Sequence, residues 1–140
     1  MPEFAPLLLD THAWIWLIDG HPNLSPNARR LIDAAASRGD VLISAISVWE
    51  VGMLVRKGRL ALAMDCRQWV SQALSKPGVR LVPISAEIAL DSCFLPATLH
   101  EDPADRLIVA CAIREDATIL THDMKLLAYG RQGHVSVKRC

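Results

Sequence analysis

Acidic residues stand where short motifs change character. Asp10 closes the apolar run Leu7-Leu8-Leu9, and Glu50 ends Ser47-Val48-Trp49-Glu50. Asp102 and Asp105 share Asp102-Pro103-Ala104-Asp105, and Asp123 ends Thr121-His122-Asp123. Carboxylates gathered in a partly buried site repel one another and must take up protons or find a cation. No set of Lys or Arg partners shares these segments. A hard divalent ion meets the need, because Mg²⁺ and Mn²⁺ prefer carboxylate oxygen and water. The matching chemistry is phosphodiester hydrolysis, in which such ions acidify water and neutralise charge on the phosphate. Each acid also has a structural reading. Ser47 to Glu50 fits a capping box, Asp102 to Asp105 fits an N-cap followed by Pro, and Asp10 and Asp123 fit turns or caps.

Other chemistries find less support. No Ser or Cys nucleophile has a convincing His partner, so covalent catalysis is not expected. Asp10-Thr11-His12-Ala13 lacks the second acid of an Asp-x-Asp phosphatase motif, and there is no Gly-rich phosphate loop. Four Cys and five His lack the spacing of a zinc site, and reduced thiols in the cytosol are expected.

The elements that must hold the acids follow from patterning. Pro6–Asp10 predicts a buried strand and Thr11–Ile18 a helix closed by Asp19-Gly20. Ser25-Pro26 predicts a helix start, with an N-cap followed by Pro, and that helix runs to Ser37. Val41–Ser44 reads as a second strand, followed by helices over Ser47–Arg56 and Cys66–Ser75. Val79–Ile84 reads as a third strand, with a helix from Ser85 to Phe94. Asp102-Pro103 opens a helix through Glu115. A strand over Ala117–Thr121, a short helix over Asp123–Tyr129 and a strand over His134–Lys138 complete the chain. Strands alternating with helical crossovers predict an α/β fold with a mostly parallel central sheet flanked by helices. Ligands of such sheets bind beyond the carboxyl ends of the strands. The acids fall at that edge.

At 140 residues the chain is expected to form a single domain, residues 1–140. Hydrophobic residues make up 51% and charged residues 21%, the balance of a folded protein. Lys plus Arg and Asp plus Glu number 15 each, which excludes a protein that holds nucleic acid by bulk positive charge. No apolar run is long enough to span a bilayer, and the first basic residue is Arg29, so neither a membrane span nor a signal peptide is expected.

The motifs resemble the PIN-domain family, and within it the VapC-type toxins of bacterial toxin–antitoxin pairs. Leu7-Leu-Leu-Asp-Thr-His12 with Trp14-Ile-Trp16 resembles the first acidic motif, and Ile43 to Glu50 continuing to Gly58-Arg-Leu60 resembles the second. His100 to Leu107, with Ala110 and Ala112, resembles the third, and Ile119-Leu-Thr-His-Asp123 the fourth. The match spans nearly the whole chain in order. It departs at Leu54, where many relatives of this type carry Lys; basic residues come later as Arg56, Lys57 and Arg59.

The resemblance implies a three-layer α/β/α fold and Mg²⁺- or Mn²⁺-dependent cleavage of RNA at Asp10, Glu50, Asp105 and Asp123. Asp10 and Asp105 are the first choices as metal ligands, with Asp123 ligating a second ion or a water. Glu50 positions the attacking water or acts as its base. Asp102 is assigned to the helix cap, since an N-cap side chain folds back on its own backbone. Thr121 is expected either to hydrogen-bond a carboxylate or to cap the last helix, and His122 to turn to solvent. Arg56 to Arg59 reads equally as a phosphate-contacting patch or a solvated helix end. Trp14, Trp16, Trp49 and Trp69 are expected in the core or a subunit interface. The implied partners are RNA, a small VapB-like antitoxin and a second copy of the chain, in the cytoplasm. The antitoxin is expected along an apolar groove between the helix after the first strand and the helix carrying Glu50. The homodimer is expected to pair near Trp14–Ile18 and Val51–Val55. The runner-up reading is a PIN-like scaffold without catalysis, and a lesser one is a nuclease acting on DNA.

Overall fold

Leu7, Leu8 and Leu9 are all buried, and they form the middle strand of the sheet. Their side chains alternate between the two faces of the pleat, as they must. The computed structural model describes residues 4–140. Within it, β1 (Leu7–Leu9) is followed by α1 (Thr11–Asp19), α2 (Pro26–Ser37), β2 (Val41–Ser44), α3 (Ala45–Arg56) and α4 (Cys66–Leu74). Then come β3 (Val79–Val82), α5 (Ala86–Asp91), α6 (Pro103–Glu115), β4 (Thr118–Thr121), α7 (Met124–Gly130) and β5 (Ser136–Arg139). The five strands lie in the order β3-β2-β1-β4-β5, and every pairing is parallel.

Alternation along the strands divides the interior into two cores. Leu7, Leu9, Val41, Ile43 and Leu120 face α1 to α4, where Trp14, Ile32, Val51 and Trp69 pack against them. Leu8, Leu42, Ile119 and Val82 face the other way, onto Ile88 of α5, Ile108 of α6 and Leu126 of α7. This is the expected α/β/α arrangement.

Connectivity locates the edge that matters. The chain moves from β1 outward to β2 and β3, then returns to place β4 on the other side of β1. The crevice between the ends of β1 and β4 is the topological switch point, where open α/β sheets bind ligands. Leu9 pairs in register with Ile43 and Leu120, so the next residues, Asp10, Ser44 and Thr121, stand level at the carboxyl edge.

Local signals explain most boundaries. Asp10, Ser25, Asp65, Ser85, Asp102 and Asp123 each cap the following helix with a side-chain oxygen. One reading is corrected: Ser44, not Ser47, caps α3, so Ser47 and Glu50 do not form a capping box. Ser44 wins because β2 runs straight into the helix and its hydroxyl reaches the Ile46 N–H at 3.2 Å. The helix over Glu50 is also less buried than its apolar neighbours suggest; only Ser47 and Val51 are fully buried in α3, and Trp49 is 57% exposed. Predicted strand and helix ends at Ile84 and Phe94 retreat to Val82 and Asp91.

Gly78, between α4 and β3, has φ 80°, and a Cβ there would fall 2.1 Å from the Ala36 carbonyl oxygen. Gly39 has a similar φ of 73° but open space around it. Gly39→Ala is expected to cost about 1 kcal/mol through backbone strain alone, and Gly78→Ala at least about 2 kcal/mol because the clash is with backbone. Urea unfolding midpoints compare the two. Equal midpoints would contradict the close seating of the β3 turn against α2.

Candidate active site

The carboxyl edge brings the acids to one place by helix starts. Asp10 is the N-cap of α1, with Oδ1 accepting from the Ala13 N–H at 2.9 Å. Asp102 is the N-cap of α6, as expected, accepting from the Asp105 N–H at 3.1 Å. Asp105 lies in the first turn of α6, and Asp123 is the N-cap of α7. Glu50 lies in the second turn of α3, on the helix that leaves β2. Asp10, Glu50, Asp102, Asp105 and Asp123 all line one cavity of about 370 Å³. Thr11, His12, Trp16 and His122 complete its wall.

Hydroxyl groups hold the acids. Thr121 is fully buried; its Oγ1 donates to Asp10 Oδ2 and accepts from the Asp123 N–H at 3.0 Å. It therefore fills both roles open to it in the sequence, binding one acid and orienting the other. Thr11 Oγ1 donates to Glu50 Oε1 at 2.5 Å and stands 2.9 Å from the buried Ser47 Oγ. An ionised carboxylate only accepts, so the single Thr11 proton goes to Glu50 and Ser47 donates to Thr11. His100 Nδ1 faces the Asp102 N–H at 3.4 Å, while Nε2 lies 3.1 Å from Asp105 Oδ2. Arg106 secures the segment before α6, donating to the carbonyls of Ser92 and Leu99 at 2.9 Å each.

Sequence reasoning gave Thr11, His100 and Arg106 no role, and Ser47 only that of a helix cap. Ser47 was detectable, because it precedes Glu50 by three helical positions and so shares its face. His100 and Arg106 depend on the path of the segment before α6, which no local signal fixes.

Electrostatics express the crowding. Burial, followed by the charges of Asp102, Asp123, Glu50 and Asp10, pushes the Asp105 carboxyl from 3.8 up to about 7. Burial also raises Asp10 and Glu50, against the lowering effect of their threonine hydrogen bonds. Among the described residues no three His, Cys, Asp or Glu side chains close on a single point to enclose an ion. The donor chemistry nevertheless fits a hydrated Mg²⁺ or Mn²⁺. The cavity presents mostly carboxylate oxygen, and Mg²⁺ keeps several waters while taking only one or two carboxylates directly.

A profile of the PIN domain matches residues 7–132. The chain belongs to the PIN-domain family. It is 32% identical to Ribonuclease VapC22 of Mycobacterium tuberculosis over 131 residues, covering 94% of this chain and 97% of that protein. The VapBC2 complex of Rickettsia felis bound to promoter DNA shares the fold, with a TM-score of 0.72 and 21% identity over 96% of this chain and 98% of that one. DNA-bound VapBC of Salmonella typhimurium does so with a TM-score of 0.66 and 18% identity over 96% and 98%.

The four tryptophans divide. Trp14 and Trp69 are core, as expected, only 1% and 3% exposed, and meet edge to face at 5.1 Å. Trp49 is exposed instead, and Trp16 faces the acidic cavity. Within the segments expected to pair, Trp14, Ile15 and Val51 are buried in the core, whereas Trp16 to Ile18 and Gly52 to Val55 keep part of their surface. Large apolar side chains are exposed on both layers, at Trp49 of α3 and at Leu90, Phe94 and Ile113 on the α5–α6 side.

Two predictions follow from the site's hydrogen bonds and charge. Thr121→Val keeps the shape but strips Asp10 of a donor and Asp123 of its N–H acceptor. It should cost about 1–3 kcal/mol in denaturant unfolding, and an unchanged midpoint would contradict the Thr121 bridge. For Asp105, the native carboxyl keeps its proton up to about 7 while the unfolded one releases it near 3.8, so stability falls as pH rises through that window. In metal-free buffer Asp105→Asn should flatten this fall, giving a higher melting temperature than wild type at about pH 8 and a smaller difference at about pH 4. A variant less stable than wild type at the higher pH would contradict the crowding.

Proposed function

We propose that this PIN-domain chain is a divalent-metal-dependent ribonuclease, a single-domain toxin held in check by a small antitoxin. The observation that carries the reading is the meeting of Asp10, Glu50, Asp105 and Asp123 in one cavity at the switch point of the sheet. A relative named a ribonuclease and fold neighbours that are VapBC complexes support it. Among the described residues no helix is long and apolar enough to cross a membrane. We assign the chain to the cytoplasm.

Asp10 and Asp105 would hold the cation directly, with Asp123 in the same cavity serving a second ion or an ordered water. Mg²⁺ or Mn²⁺, when bound, supplies charge neutralisation at the phosphate and makes water more acidic. Thr121 aims Asp10 and favours its ionised form against the upward pull of burial, and α1 holds its other oxygen. Glu50 accepts the proton of the attacking water. Thr11 fixes one of its oxygens, and burial lifts its proton affinity toward what a general base needs at neutral pH.

An apolar cavity of about 530 Å³ runs between α3 and α4, lined by Val48, Gly52, Val55, Cys66 and Val70. It lies on the far side of Glu50's helix from the expected groove, because α1 packs directly on α3 through Thr11, Ser47 and Glu50. We assign it to the apolar part of the antitoxin; an Arg or Lys outside this groove, further along the same antitoxin segment, would reach Asp10 and Asp105 in place of metal. A second copy of the chain would seat on Leu90 and Phe94, which are 62% and 79% exposed.

Purified, antitoxin-free protein should cut RNA with Mg²⁺ or Mn²⁺ and not without. Asp10→Asn and Asp105→Asn should each lower cleavage by at least about a hundredfold while preserving the fold by circular dichroism. Near wild-type turnover in both would contradict the metal assignment. Gly52→Leu fills open space in the α3–α4 groove and should weaken antitoxin inhibition without reducing cleavage of free enzyme. Unchanged inhibition would move the antitoxin elsewhere. Sedimentation at tens of micromolar, roughly where modest interfaces assemble, should show a dimer, and monomer alone would contradict pairing.

A further inference from the structure

Trp16 is half-buried, packed in part against the core of the α1 to α4 layer, and the remainder of its side chain stands in the wall of the acidic cavity beside His12 and His122. Its indole is held in place by the way α1 ends. Gly20 takes φ 64°, its N–H donates to the Leu17 carbonyl at 3.4 Å, and the His21 N–H returns to the Trp16 carbonyl at 2.9 Å. This is a Schellman turn, which brings the residue after glycine back onto the last helical turn. The His21 imidazole stacks on the Trp16 ring with centroids 5.8 Å apart and planes at 26°. The Asn23 N–H donates to His21 Nδ1 at 3.0 Å and fixes that ring in turn. His12, one helical turn earlier, lies 6.2 Å from the indole. His122, from the turn between β4 and α7, meets it edge-on at 5.4 Å.

The same wall has five carboxylates and no Lys or Arg. Arg56 ends α3, about 9 Å along the helix axis from Glu50, and Lys57 and Arg59 lie beyond it. Without metal, an RNA backbone entering the cavity meets repulsion and no side-chain cation, so affinity in the metal-free protein must come from something other than phosphate charge. Flat aromatic rings supply it, because every unpaired base has a π-face that stacks on Trp or His whatever the local charge.

We propose that Trp16, flanked by His12 and His122, is a base-stacking platform that holds an unpaired nucleobase of RNA beside the acidic site. The inference rests on the ribonuclease reading and names the substrate feature that this site grips. Stacking requires an exposed base face, so the platform favours single strands over duplex. Because the indole is fixed before substrate arrives, the contact acts in binding more than in the chemical step, and its loss falls on KM rather than kcat.

The test compares a fluorescein-labelled single-stranded oligoadenylate with the same chain lacking all its bases. Binding is read by anisotropy in EDTA, and cleavage of unmodified RNA is read separately in Mn²⁺. Wild-type protein should bind the base-bearing strand at least about tenfold more tightly than the abasic one. Trp16→Leu should abolish that preference and raise KM by a similar factor with kcat within about threefold, whereas Trp16→Phe should retain most of both. Equal binding of the two strands by wild type, a preference that survives in Trp16→Leu, or a fall in kcat at constant KM would each overturn the platform. If Trp16→Leu does not fold, the abasic comparison on wild type and the Phe variant decide. Wild-type protein that prefers bases through Trp16 yet cuts no RNA would overturn the ribonuclease reading and leave the platform standing.

Discussion

Mutual repulsion among carboxylates at the carboxyl edge of the sheet is the constraint around which the rest of this structure is arranged. Asp10, Glu50, Asp102, Asp105 and Asp123 share one cavity without a Lys or Arg in its wall. Left alone, such a group protonates: burial first, and the neighbouring carboxylates second, leave Asp105 holding its proton up to about 7. The fold offsets part of the cost with backbone. Asp10, Asp102 and Asp123 each begin a helix, and Asp105 lies in a first turn, so amide N–H groups and the positive ends of α1, α6 and α7 point toward the charge. Each cap engages one carboxylate oxygen through the backbone, an arrangement compatible with a ligand at the other.

The apolar layers make that arrangement rigid. Leu8, Leu9, Leu42, Ile43, Ile119 and Leu120 are fully buried beneath the edge, and their parallel register sets Asp10 level with Thr121. Thr121 then converts a strand alignment into a site, because a single hydroxyl joins the acid after β1 to the acid after β4. Thr11 and Ser47 do the same between α1 and α3. These contacts lie far apart in sequence and are short in space, so the geometry of the acids is a property of the folded core rather than of any one loop.

Much of this was legible from residue order. Ser25-Pro26 and Asp102-Pro103 announce helix starts by mechanisms that act within a few residues, and both helices begin there. Strand alternation with helices gave the parallel α/β class, and the acids that end strands or start helices are the ones that meet. What stayed hidden depends on packing between distant segments. The competition of Ser44 with Ser47 for the α3 cap turns on how directly β2 passes into the helix. Four tryptophans look alike in sequence, yet two are core, one is exposed on α3 and one faces the cavity, according to the helix face each occupies. The tether from His100 to Asp105 requires the fold of the segment that Arg106 pins.

The central claim is that these acids are gathered to hold a hard cation. Mn²⁺ titrated into metal-free protein, with the free ion followed by electron paramagnetic resonance, tests it most directly. Saturable binding is expected at about pH 8, weakening toward about pH 5 as Asp105 takes up its proton, and lost in a variant with Asp10 and Asp105 both changed to Asn. Binding that is absent in the wild type, or that persists unchanged in the double variant, would contradict it.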